Sequence, residues 1–167
     1  YNGTEQSVEG FTVESISTKL ITKDQVVLRT DVAAKATGTN FGTYTMGLAG
    51  TSFTLADGVS NNFTSASIRF DVTDGALTIT KRPVTLKSAD LSKEYDGTPL
   101  VNGATPVEVS GDGWAAGEGA TYAFTGSQTV VGSSANAFTY ELNSNTKADN
   151  YTITKTEAKL TVKDRAE

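Results

Sequence analysis

The sequence predicts an all-β chain built as two tandem immunoglobulin-like β-sandwich units, with β-grasp-like units carrying one short helix as the alternative. Three observations lead there: the chain repeats itself, it is rich in threonine, and its short alternating segments are separated by turn residues. Tyr1-Asn2-Gly3-Thr4 recurs as Tyr95-Asp96-Gly97-Thr98. At the same offset of 94, Gly38 falls on Gly132, Tyr44 on Phe138, Met46 on Tyr140 and Leu48 on Leu142. Asn62-Phe63-Thr64 returns as Asn150-Tyr151-Thr152, and Leu77-Thr78-Ile79 as Leu160-Thr161-Val162. The first copy is therefore expected to be longer, with insertions near Ala49 to Asn62 and near Ser65 to Ala76. A repeat of this length makes an array of units with their own cores, unlike a solenoid whose short repeats share one. Threonine supplies 27 of the 167 residues, and its branched Cβ suits a pleated, half-buried surface better than a helix.

The units are expected at 1–82 and 83–167, each roughly 80 to 90 residues, a size that folds alone. Lys81-Arg82-Pro83-Val84 reads as a short, stiff junction, since proline fixes φ and withholds a donor. An extended rod follows from that stiffness. The second copy has a strand around Val84-Thr85-Leu86 ahead of its Tyr-Asp-Gly-Thr motif, whereas the first begins at its own motif. The first unit is accordingly expected to lack its first strand, unless the repeat itself starts at the motif.

Alternation is clearest at the end of each unit. Leu77 and Ile79 share one face of Ala76 to Thr80, as Leu160 and Val162 do in Lys159 to Lys163, so both segments read as closing strands. Further strands are expected at Phe11 to Ser15, Gln25 to Thr30, Thr43 to Leu48, Ser67 to Val72 and Val84 to Lys87. The series continues with Pro106 to Ser110, Thr121 to Gly126, Phe138 to Leu142 and Tyr151 to Lys155. Asp57-Gly58, Asp74-Gly75, Asp96-Gly97 and the glycine-rich run Gly111 to Gly119 supply turns. Ala115 to Ala120 is long enough for one helical turn. Many short strands between regular turns are the pattern of a sandwich or small barrel.

Composition narrows the chemistry. Cysteine and histidine are both absent, which removes disulfides, thiolate zinc sites, cysteine nucleophiles and every Ser-His-Asp arrangement. The formal charge of −5 offers no basic stripe for a phosphate backbone, so nucleic acid is not an expected partner. No run of about 18 apolar residues is present to cross a bilayer, so membrane insertion is not expected.

Several stretches resemble a known family. Lys93-Glu94-Tyr95-Asp96-Gly97-Thr98-Pro99-Leu100, Val109-Ser110-Gly111-Asp112-Gly113-Trp114-Ala115-Ala116-Gly117-Glu118-Gly119 and Ala148-Asp149-Asn150-Tyr151-Thr152-Ile153, closing on Leu160-Thr161-Val162, resemble the MBG/YDG-type repeat of large bacterial surface and secreted proteins. The likeness covers nearly all of the second copy. The first matches more loosely, through Tyr1-Asn2-Gly3-Thr4, Gly42 to Met46 and Asp74 to Ile79, and lacks the Ser-Gly-Asp-Gly segment. The resemblance implies an extracellular bacterial protein, at the cell surface or secreted, with tandem β modules of adhesin-like type. It brings no catalytic residues, and fold membership does not by itself give a function.

Candidate contacts are few. Trp114, the one tryptophan, sits among glycines, where its face could stack on a sugar, or else could plug a loop into the core. Asp112 and Glu118 flank it as possible ligand contacts. Asp71, Asp74, Asp90, Glu94, Asp96, Asp112 and Glu118 could offer oxygens to calcium, but their spacing fits no twelve-residue loop, and turn formation explains them. The Tyr-(Asn/Asp)-Gly-Thr motif reads as a tight turn anchored to a core by its aromatic ring. No pair of carboxylates suited to glycoside hydrolysis stands out. The expectation is a non-enzymatic module, without cofactor or metal, acting as a stalk, spacer or adhesin segment beside neighbouring repeat domains. The alternative is a module that binds a host or environmental glycan or protein through the loop around Trp114.

Overall fold

The computed structural model describes residues 1–59 and 68–166. The chain is all-β, with small sheets and, among the described residues, no α-helix; single 3-10 turns lie at Lys23–Gln25, Gly50–Ser52 and Ala148–Asn150. It divides into two compact units: Thr4–Ile79, and Thr80–Glu167 together with Tyr1–Gly3.

In the Thr4–Ile79 unit, three antiparallel pairs form. β1 (Gln6–Glu9) pairs with β3 (Lys35–Gly38), β2 (Val26–Leu28) with β5 (Phe53–Leu55), and β4 (Gly42–Thr45) with β6 (Ala76–Ile79). Leu77 and Ile79 are buried as their alternation requires. The core gathers Ala34, Leu48 and Phe53, with Val26, Met46 and Phe70 packed against them. Past the end of β4, the Asp74 carboxylate accepts the N–H groups of Gly47 and Leu48, both at 2.9 Å, which satisfies backbone donors where the ladder stops.

The Thr80–Glu167 unit begins at the residue after β6. Its first strand, β7 (Arg82–Lys87), continues past a bend into β8 (Leu91–Glu94); its last, β13 (Tyr151–Thr156), continues past a bend into β14 (Lys159–Lys163). The two run parallel side by side, from Tyr151 opposite Arg82 to Thr156 opposite Lys87, and from Leu160 opposite Leu91 to Lys163 opposite Glu94. β9 (Glu108–Gly111) flanks β7, and β11 (Gly132–Ala135) flanks β14, both antiparallel. β10 (Ala120–Phe124) and β12 (Phe138–Leu142) form a separate antiparallel pair. Val84, Leu86, Val107, Ala115, Phe138 and Tyr151 make the core. At the bend, Ser88 Oγ donates to the Asn136 carbonyl at 2.7 Å and accepts from Ala158 N–H at 3.0 Å, while Asn136 Nδ2 donates to the Ala89 carbonyl at 2.8 Å. Ser88 Oγ and Asn136 Nδ2 are thereby paired, as buried polar groups must be, while Asn136 Oδ1 is buried with no hydrogen-bond partner among the described residues.

The ladders correct the repeat register. Gly42 faces Ile79 and Gly132 faces Val162, with matching φ of +146° and +140°. Hence β4 answers to β11, at an offset of 90, and not to β12. Phe53 in β5 answers to the buried Phe138 in β12, at 85. Gln6 opposite Gly38 in β1–β3 answers to the bridge between Leu100 and Gln128. The gapless match of Tyr44 to Phe138 arose because an aromatic followed at two-residue spacing by apolar side chains suits any half-buried strand. The proposed match of Asn62-Phe63-Thr64 lies outside the described residues.

Other expectations are also corrected. Residues 11–15 and 68–72 form no strand; Phe11 instead sets its ring edge-on to Phe53 at 5.0 Å, and Phe53 stacks at 6.2 Å on Phe70. Their apolar side chains serve packing without a neighbouring ladder. Ala115 to Ala120 makes a hydrogen-bonded turn, Glu118 N–H to the Ala115 carbonyl at 2.9 Å, and not a helix. The strand expected from Val84 begins earlier, at Arg82, so the junction of Lys81 to Val84 already lies largely within β7.

Candidate functional site

The glycine-rich run predicted as a turn leaves β9 at Gly111 and returns to β10 at Ala120. Gly111 has φ +73°, and a Cβ there would lie 2.9 Å from the Pro83 carbonyl oxygen, so the close crossing of this loop over β7 requires glycine. Asp112 N–H then donates to Pro83 O at 3.0 Å. Arg82 reaches over the loop: its Nε donates to Gly113 O at 2.8 Å and its Nη2 to Asp112 O at 2.6 Å. A guanidinium can do this because its donors lie in a rigid fork.

Trp114 follows. It is half-buried, sets its edge against Tyr151 at 5.0 Å and 74°, and donates from Nε1 to the Tyr122 hydroxyl at 3.1 Å. Ala115, buried, donates its N–H to the Tyr151 hydroxyl at 3.1 Å. Gly119 N–H is held by Thr146 Oγ1 at 2.9 Å, and the Gly117 carbonyl by Asn145 Nδ2 at 2.7 Å. The loop is thus tied down along its length.

Tyr1 completes the cluster. Its ring meets Tyr151 edge-on at 5.5 Å, and its hydroxyl donates to Glu118 Oε2 at 2.8 Å. Its main-chain nitrogen donates to Thr80 O at 2.7 Å, and its carbonyl accepts from Arg82 Nη1 at 3.4 Å. Burial, and next the hydrogen bond to Glu118, push the Tyr1 hydroxyl up to about 12. Burial likewise pushes the Tyr151 hydroxyl up. Both phenols therefore stay protonated at neutral pH and act as hydrogen-bonding groups, an arrangement that locks chain segments together.

Asp112, Trp114 and Glu118, predicted as contacts, lie on one loop. Asp112 is exposed and offers its carbonyl to Arg82, Trp114 leans into the core, and one oxygen of Glu118 is taken by Tyr1. Sequence reading missed Tyr1, Arg82 and Tyr151 as members of this cluster. Of the acids considered for calcium, Asp71 pairs with Arg69 at 2.6 Å, Asp74 caps β4, and Asp90 accepts from Lys159 N–H at 3.0 Å. Asp96 accepts from Lys93 Nζ, Thr98 N–H and Thr98 Oγ1 at 2.7–2.9 Å, and those bonds hold its carboxyl well below the usual carboxylate range. Among the described residues no three acidic side chains gather as a metal site would require. A cavity of about 830 Å³ in the Thr4–Ile79 unit, lined by Phe11, Ile16, Phe53 and Phe70, also borders Ile68, next to residues outside the description.

Comparisons with known proteins give no relative: no protein-family model, no curated protein and no solved structure matches this chain.

Proposed function

We propose that the chain is a non-catalytic pair of tandem β modules from a bacterial surface or secreted protein of the MBG/YDG-repeat kind, serving as a spacer that carries force between neighbouring domains. The observation that supports this most is the parallel pairing of the first and last strands of the Thr80–Glu167 unit. Tension entering at Arg82 and leaving at Lys163 acts at opposite ends of the β7–β13 and β8–β14 ladders. It must shear many hydrogen bonds together, whereas a hairpin pulled at its open end yields one bond at a time. The same pairing favours the β-grasp-like reading over an immunoglobulin-like sandwich, whose two sheets are antiparallel. In that reading the turn from Ala115 to Glu118 stands where the short helix was expected.

A second reading, a binding module using the loop around Trp114, has one observation in its favour: the indole is only half-buried and lies beside the exposed Asp112. Trp114 emission separates the two. A spacer gives blue-shifted fluorescence unmoved by a panel of oligosaccharides; saturable quenching by one of them, lost in Asp112→Ala, would establish the binder instead.

A further inference from the structure

The Tyr-x-Gly-Thr motif occurs twice, and only in the first copy does the tyrosine ring pack against a core. Tyr1 N donates to Thr80 O, and Arg82 stands two residues beyond Thr80. Tyr95 N–H donates to Lys163 O at 2.9 Å in the same way, and Arg165 stands two residues beyond Lys163. Gly3 and Gly97 share a φ of +80°. The backbone geometry is repeated, but the surroundings are not. A Cβ on Gly3 would lie 3.2 Å from both Ala115 Cβ and Glu118 Oε2, whereas one on Gly97 would meet nothing within 4 Å. Tyr95 is 44% exposed, and Arg165 is exposed too.

We infer that Tyr95 and Arg165 form an unfilled copy of the Tyr1–Arg82 arrangement, and that its occupant is a further β unit of this same kind continuing from Arg165. That unit would supply what Tyr1 and Arg82 meet here: an aromatic edge like Tyr151, a carboxylate like Glu118 to accept the Tyr95 hydroxyl, and two successive carbonyls like those of Asp112 and Gly113 for the guanidinium. Asp96, which replaces Asn2, does not oppose this, because Lys93 and Thr98 already satisfy its charge locally. The inference rests on the tandem-module reading above.

The test extends the full chain after Arg165 by a second copy of residues 83–167 and follows hydrogen exchange by segment. The appended copy should protect its own glycine-rich loop, and Tyr95→Ala should lower that protection by about ten-fold or more, the loss expected when a partly buried carboxylate is left unpaired. In the unextended chain Tyr95→Ala should change protection little. An appended unit that folds but ignores Tyr95→Ala, or an equal effect of Tyr95→Ala in both chains, would overturn the inference while leaving the tandem reading intact. An appended copy that gains no protection of its own would sink both.

Discussion

The hydroxyl of Tyr1 donates to Glu118 Oε2 at 2.8 Å across 117 positions of sequence. This bond makes the first residues of the chain part of the fold that contains the last ones. Glu118 Oε1 is buried and has no hydrogen-bond partner among the described residues, so Tyr1 supplies the bond that satisfies this carboxylate's other oxygen.

Tyr1→Phe should therefore destabilise the Thr80–Glu167 unit by about 1–3 kcal/mol, the cost of leaving a partly buried acceptor unpaired. Tyr1→Ala should cost more, since it also removes the ring that packs on Tyr151. Denaturant unfolding read through Trp114 fluorescence checks both; a variant as stable as the parent would show that the bond contributes nothing.

Alkaline pH should act at the same place. The folded Tyr1 hydroxyl sits at about 12 against 10.0 for a free phenol, so the protonated group's contribution is complete below about pH 10 and lost as pH rises through 12. Phenolate absorbance should show a late-titrating tyrosine that disappears in Tyr1→Phe, together with a shallower loss of stability above pH 10.

Gly3→Ala and Gly97→Ala offer an internal comparison. Both force alanine to a φ of +80°, at about 1–2 kcal/mol each. Only the first also crowds Ala115 and Glu118, which should add about 1 kcal/mol of overpacking. Urea midpoints for the two variants, with unchanged slopes, give the difference directly; equal midpoints would contradict it.

β14 lies between β11 and β8, while its counterpart β6 pairs with β4 and, among the described residues, with no second strand. A strand of the sequence Leu91–Glu94 added ahead of Tyr1 should continue along that edge, because open N–H and C=O groups template pairing. Hydrogen exchange should then slow in Ala76–Ile79 and not in Lys159–Lys163. Unchanged exchange at β6 would mean the edge is not a receptor for that strand.

The sequence revealed those parts of the fold that depend on local pattern. Leu77 and Ile79, or Leu160 and Val162, announce closing strands because one buried face imposes a two-residue period. β1, β3, β8 and β11 were missed because Gln6–Glu9, Lys35–Gly38, Leu91–Glu94 and Gly132–Ala135 carry little apolar alternation and owe their state to distant ladder partners; β5 was missed as well, since Phe53–Leu55, though Phe53 and Leu55 are both buried, fell within a stretch read as an insertion. Trp114 could be singled out as a lone aromatic among glycines. That Arg82 grips its loop and Tyr1 fills the space beside it depends on contacts 31 and 117 positions apart, which no local pattern encodes.

Pulling single molecules by their two ends tests the proposed force-carrying role most directly. Unfolding of the Thr80–Glu167 unit should appear as its own event, its chain spanning about 300 Å at ~3.4 Å per residue, and at higher force than the Thr4–Ile79 unit, whose described strands pair only antiparallel. Rupture of the Thr80–Glu167 unit at the lower force of the two would contradict a spacer built to resist shear.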